Sequence, residues 1–223
     1  MFGEIAGRYD LMNHLLSGGV DILWRKKVVR MAATGREENV LDLACGTGDL
    51  AIELRKAMKP DCRIVGADFT HEMLEKAVTK TPKNPGASLT WVEADGLRLP
   101  FADETFDLVT IGFGIRNMAS LDGALLEMGR VLRPGGRLAI LECTTPRSWF
   151  YRTFYQPYFL YVLPRIGALL SQKSAYLYLP HSVVHFTPPK ELVARMEKCG
   201  YANVRFESLM MEAAAIHVGE KKS

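Results

Sequence analysis

Cysteine is scarce in this sequence, and the four present, Cys45, Cys62, Cys143 and Cys199, stand far apart with no C-x-x-C pair and no histidines at metal-ligand spacing. Neither a disulfide framework nor a zinc site is expected, and no metal is assigned. Long apolar runs are also missing: no uncharged stretch would span a bilayer, and the opening MFGEIAGRYD has no apolar signal core. A cytoplasmic protein is expected. Charge of one sign is lacking as well, since 28 Lys and Arg face 25 Asp and Glu for a net charge of +3. The basic residues are scattered rather than gathered in a stripe, so nucleic acid is not an expected partner. Repeats and low-complexity tracts are absent. What remains is ordinary globular composition, 48% hydrophobic and 24% charged over 223 residues, which fits one domain over 1–223 with a substantial core.

Apolar, β-branched runs alternate with helical patterns, the mark of βαβ units and a parallel sheet. Strands are predicted near 39–44, 62–67, 89–93, 106–112 and 137–142, with helices near 49–58, 71–80 and 120–132. The turn sequence Arg133-Pro134-Gly135-Gly136 should end the last of these helices. Further on, Thr187 is placed as the cap of a helix with Pro188 at its first position, running to Cys199 before Gly200. Strands near 203–209 and 212–218 then form a hairpin, which makes the last strand antiparallel. The expected fold class is α/β: a doubly wound, seven-stranded, mostly parallel, Rossmann-like sheet, which with its closing hairpin resembles the class I methyltransferase fold. Residues 1–35 form an N-terminal helical extension, with a helix from Asp21 to about Ala33. Residues 147–180 form an aromatic-rich insertion holding Trp149, Phe150, Tyr151, Phe154 and Tyr155 among others.

The segment VLDLACGTGD, residues 40–49, reads as a buried strand running into a glycine turn and a helix. Gly46 and Gly48 allow a tight turn and close backbone approach to a ligand. Glycine spacing alone does not separate a nicotinamide dinucleotide from S-adenosylmethionine. Charge does. A pyrophosphate at this helix N-terminus would meet Asp49 and Asp42, whereas S-adenosylmethionine carries no phosphate and its ammonium and sulfonium groups are cationic. Asp68, closing RIVGAD, is placed on the ribose hydroxyls. Asp95, closing WVEADG, is placed on the adenine amino group, with the Gly96 N–H near the ring. Taken singly, Asp42 and Asp49 could be helix caps and Asp68 and Asp95 loop acids; acids after three successive strands favour the cofactor reading.

Four longer segments carry a resemblance. RYDLMNHLLSGGVDILW (8–24), RVLRPGGRLAILECTTP (130–146), GFGIRN (112–117) and YLYLPHSV (176–183) are similar to signatures of the ubiquinone and menaquinone C-methyltransferases. Departures are Asp21, where many members have His, Gly112, where some have Ser, and Cys143-Thr144, where Phe-Ser is common. The resemblance implies methyl transfer from S-adenosylmethionine to a ring carbon of a prenylated quinol, demethylmenaquinol or a methoxy-polyprenyl-benzoquinol. It implies cofactor contacts at Asp42, Gly46, Thr47, Gly48, Asp68, Asp95, Gly96 and Gly112. By motif position it implies Arg116 and Asn117 facing the substrate, with Tyr9, Asp10 and Asn13 folding over the same site.

An aromatic ring carbon becomes nucleophilic when a neighbouring hydroxyl loses its proton, so a base or an anion-stabilising group is needed. Arg116 is expected to stabilise the ring oxyanion or to orient a water that takes the proton, against the competing reading of a surface ion pair; for Tyr9 and Asn13 the competing reading is packing of the extension. Of the histidines, His217 lies in a strand pattern and reads as structural, while His14 and His185 are weak candidates for a base. The aromatic insertion is a candidate to receive the polyprenyl tail or to rest on the inner face of the membrane, against ordinary helix packing. Competing readings are another small-molecule methyltransferase, a nicotinamide-dependent oxidoreductase and a non-catalytic cofactor-binding module.

Overall fold

Residue preferences convert directly into a layered sheet. The structure, a computed structural model, describes residues 19–83, 88–145, 186–210 and 212–223. Helix α1 spans Asp21–Ala32, β1 Asn39–Leu43, α2 Asp49–Ala57, β2 Arg63–Asp68, α3 His71–Lys80, β3 Ser88–Glu93 and β4 Phe106–Gly112. A single 3-10 turn, Ile115–Asn117, precedes α4 Leu121–Val131 and β5 Leu132–Cys143. The chain closes with α5 Pro189–Lys198, β6 Tyr201–Leu209 and β7 Ala214–Lys221. The seven strands lie in the order β3-β2-β1-β4-β5-β7-β6, and only the pairings made by β7 are antiparallel.

β1 sits at the centre because its run Val40-Leu41-Asp42-Leu43 is buried throughout, as a parallel strand covered on both faces must be. One face packs Trp24 and Val28 of α1 with Leu50 and Leu54 of α2. The opposite face packs Leu125 and Met128 of α4 with Leu192 and Met196 of α5. The chain leaves β1 toward β2 and β3 on one side, and from β4 toward β5 on the other. That reversal lies between β1 and β4, and it fixes where a ligand crevice opens. No helix among the described residues is long and apolar enough to cross a membrane.

The helix expected to end at Arg133-Pro134-Gly135-Gly136 stops at Val131, and Leu132 already pairs with Phe106. The four turn residues bulge out before Arg137 pairs with Leu108, with Gly135 at a φ of 75°. Thr187 does not cap α5. Pro188 occupies that place, its carbonyl accepting from the N–H groups of Glu191 and Leu192, and Pro189 takes the first helical position, where no N–H is needed. β6 starts two residues early, at Tyr201, because that ring buries fully and its hydroxyl donates to the Leu125 carbonyl at 2.8 Å.

Candidate active site

Four strands of this sheet bring their C-terminal ends together. Leu43 and Ala44 after β1, Asp68 at the end of β2, Asp95 after β3 and Gly112 at the end of β4 line a cavity of about 370 Å³. It lies at the switch point between β1 and β4, where open α/β sheets bind ligands. Of the expected cofactor residues, Gly46, Asp68, Asp95, Gly96 and Gly112 line it, and so does Asn117. Among the described lining residues there is no Lys, Arg or His.

Asp68 does more than face the cavity. Its two oxygens accept from the Gly46 and Thr70 N–H groups, each at 2.8 Å, so it braces the glycine turn against the start of α3. Burial raises its pKa while those N–H groups work in the opposite direction. Asp95 folds over its own loop, accepting from the Leu97 N–H at 2.9 Å. Gly96 lies beneath Met118, where a Cβ would stand 2.7 Å from the Met118 methyl.

The other members of the loop are placed differently. Gly48 has a φ of 86°, and a Cβ there would fall 2.3 Å from the Trp91 ring. Its glycine is demanded by Trp91 rather than by ligand approach, and it does not line the cavity. Thr47 is buried and accepts from the Lys80 ammonium at 3.0 Å. Asp42 is also buried, accepting from the Thr110 hydroxyl at 2.7 Å. Burial pushes its pKa up to about 7, against the pull of Thr110, the Ala51 N–H and the Arg25 guanidinium. Asp49 pairs with Lys80 and lies 3.5 Å from Arg25 of α1. Asp49 is compensated by Lys80 and Asp42 is buried behind the turn, so the carboxylates that a pyrophosphate would meet in the cavity are Asp68 and Asp95. Cys45, in the same turn, is held well above its usual pKa by burial and by Asp42 and Asp68, and stays a neutral thiol.

The GFGIRN segment closes the opposite wall. Phe113 adopts a φ of 59°, and a Cβ on Gly114 would stand 2.5 Å from that of Ala44, so this loop and the glycine turn touch. Asn117 reaches the cavity; Arg116 does not. Its side chain is 7% exposed, donating to the Phe113 carbonyl at 2.7 Å and pairing with Glu142 of β5, itself fully buried. The expectation that both residues face a substrate is corrected here. Successive side chains of a 3-10 turn point about 120° apart, and the carboxylate on β5 takes the guanidinium. Tyr9, Asp10, Asn13, His14, His181, His185 and the 147–180 insertion lie outside the described residues. His71 is exposed beside Glu93, and His217 is buried on β7 as expected, its Nε2 3.0 Å from the Pro189 carbonyl.

Sequence reasoning missed Glu142, Arg25, Phe69 and Met118. Phe69 is 75% exposed at the cavity rim, and its adjacency to Asp68 was the available signal. Glu142 and Arg25 offered none, since each matters through a partner on another element.

Known proteins match this geometry and this sequence. The model of the ubiE/COQ5 methyltransferase family matches residues 1–221. The chain belongs to that family. It is 48% identical over 222 residues to a demethylmenaquinone methyltransferase of Thermus thermophilus, covering 99% of this chain and all of that one. It is 45% identical to a ubiquinone/menaquinone biosynthesis C-methyltransferase UbiE of Geobacter sulfurreducens, covering 99% of this chain and 87% of the relative. Solved structures carry the same fold at low identity. A SAM-dependent methyltransferase from Thermotoga maritima gives a TM-score of 0.68 at 19% identity over 99% and 98% of the two chains. Another from Aquifex aeolicus gives 0.64 at 17% identity over 88% of each. As a member of the ubiE/COQ5 family the chain is an S-adenosylmethionine-dependent methyltransferase. The site suits that cofactor: a mostly apolar cavity with two carboxylates and no cationic side chain among its described lining matches a cationic ligand with an apolar ring.

Proposed function

We propose that this protein methylates a ring carbon of a prenylated quinol, converting a demethylmenaquinol to a menaquinol or acting on the related methoxy-polyprenyl-benzoquinol. The observation that carries this reading is the full-length similarity to relatives with those names, at 45 to 48% identity. Asp68 is assigned to the ribose and Asp95 with Gly96 to the adenine; support comes from their places at the ends of adjacent strands in one cavity. Gly46 and Gly112 contribute backbone to that cavity. Asp42, Thr47 and Gly48 are assigned to shaping the loop behind it.

S-adenosylmethionine supplies an electrophilic methyl on a sulfonium. The chain's part is to hold the quinol ring in line with it, exclude water and move one proton. Asn117, with amide groups at the cavity wall, is assigned to a ring oxygen. Apolar neighbours such as Met73, Phe113 and Met118 keep the site dry, which favours cancellation of the opposite charges as the ring attacks. Since Arg116 is engaged with Glu142, the proton acceptor is sought in the N-terminal extension, where Asp10 and His14 are the residues to test. The insertion at 147–180 is assigned to the prenyl tail or the membrane surface.

The deciding experiment is transfer of a radiolabelled methyl group to demethylmenaquinol and to a prenyl-methoxybenzoquinol, run side by side. Labelled product from either is expected; no transfer to both, with cofactor bound, would overturn the reading.

A further inference from the structure

We propose that Glu142 is a positioning residue for methyl transfer, acting through Arg116 to set the turn that carries Asn117 to the substrate. Glu142 lies on β5 with no exposed surface, and three donors converge on it. They are the Arg116 guanidinium, the Arg116 backbone N–H at 3.3 Å and its own neighbour, the Cys143 N–H at 2.8 Å. The same guanidinium donates at 2.7 Å to the carbonyl of Phe113.

One buried carboxylate thus holds Arg116 and, through its guanidinium, the Phe113 carbonyl. Other ties act on the same turn. Its backbone bonds run from Asn117 N–H to the Gly114 carbonyl at 3.0 Å and from Phe113 N–H to the Leu141 carbonyl at 2.8 Å. Phe113 sits at a φ of 59°, a conformation that a side-chain-bearing residue keeps only when its surroundings over-determine it. The Arg116 bond to the Phe113 carbonyl, anchored on Glu142, is part of that constraint, beside the Leu141 bond and the Trp24 ring. Phe113, Gly114 and Asn117 all line the cavity, while neither Arg116 nor Glu142 does. A shift in the pair is therefore felt by the substrate wall first. Asp68, Asp95 and Gly96, on the other strands, are not tied to Glu142.

This inference rests on the proposed methyl transfer to a quinol. It is tested with Glu142→Gln, Arg116→Lys and the double variant Glu142→Gln with Arg116→Gln, each assayed for thermal unfolding, cofactor affinity by calorimetry, and kcat and KM for the quinol. If the wild-type protein binds cofactor but methylates no quinol, the functional reading fails. If it turns over, the inference is tested by the variants. Glu142→Gln is expected to lose about a hundredfold in kcat/KM for the quinol, the scale of a small misplacement at a reacting centre, while cofactor affinity stays within about threefold. Arg116→Lys, which keeps the charge but not the fork, should recover part of the rate.

The double variant separates positioning from mere stability, because it removes both charges of the pair together. It is expected to melt near the wild-type temperature and still turn over slowly. Wild-type turnover in the double variant would overturn the proposal, as would a fall in cofactor affinity as large as the fall in kcat/KM. It also covers the case in which Glu142→Gln alone does not fold.

Discussion

Asp68 has two tasks that its place at a strand end makes inseparable. It braces Gly46 and Thr70 through its carboxylate oxygens, and it lines the cavity where the ribose is assigned. Asp68→Ala should therefore weaken S-adenosylmethionine binding by about tenfold to a hundredfold, the equivalent of roughly 1.5 to 3 kcal/mol for hydrogen bonds to a charged acceptor. Asp68→Asn, which keeps one acceptor oxygen, should fall between the two. Calorimetry reads both, and unchanged affinity in Asp68→Ala would remove the residue from the cofactor site. Asp68, Asp95, Gly112 and Asn117 were legible because a strand-end position is a local property of the chain. Arg116 was located in sequence but not in direction: what captures it is Glu142, 26 residues away on the next strand, and burial of that carboxylate has no local signature. Gly48 was legible as a glycine through the tight turn, at a φ of 86°, whereas the approach of Trp91 from β3 was not.

Two strands carry titratable groups whose effects on stability oppose each other. His217 on β7 is buried, and its pKa is lowered to about 4. Between pH 6.5 and 4 the unfolded chain takes up a proton that the folded chain refuses, so this strand loses stability as the pH falls. Asp42 on β1 has its pKa raised from 3.8 to about 7. Between those values the folded chain keeps a proton that the unfolded chain releases, so stability falls as the pH rises. Each group alone gives a slope of about 1.4 kcal/mol per pH unit, and together they nearly cancel. His217→Gln should unmask a loss of stability from pH 4 to 7, and Asp42→Asn a gain from pH 4 to 6.5. Urea midpoints of the cofactor-free protein across that range measure both, and a slope unaltered by either substitution would mean that these groups do not set it. Elements themselves were readable where period and breakers agreed, as in β1, α2 and β4. They were misjudged where a turn sequence was absorbed into a strand, at residues 133–136, or where tertiary burial started a strand early, at Tyr201.

At the scale of the whole molecule, α1 joins parts of the site that the sheet topology keeps on separate loops. Strand alternation made the sheet legible from sequence, and the glycine turn made the position of the site legible; the docking of α1 was not, because it depends on contacts with distant elements, among them α2, β5, β6 and the Phe113 loop. Trp24 meets Phe113 of the GFGIRN loop at 6.2 Å between ring centroids. Arg25 bonds to Asp21 at 2.5 Å and approaches Asp49 of α2, and its charge also lowers the pKa of Asp42. Asp21 is 2% exposed, so Arg25→Met takes from a buried carboxylate the cation bonded to it and should destabilise the fold in urea unfolding at neutral pH by at most about 3 to 5 kcal/mol. Asp21→Asn combined with Arg25→Met removes that charge and should regain much of the loss. The electrostatic link to Asp42 is not regained. In both variants the pH limb assigned to Asp42 should therefore extend to higher pH than in the wild type, since the cation that opposed its burial is gone. A double variant as unstable as Arg25→Met alone would show that the cost lies in lost packing of the arginine stem rather than in the charge of Asp21. An Asp42 limb that stays in place in both would show that α1 does not act on the loop behind the cofactor site through Arg25.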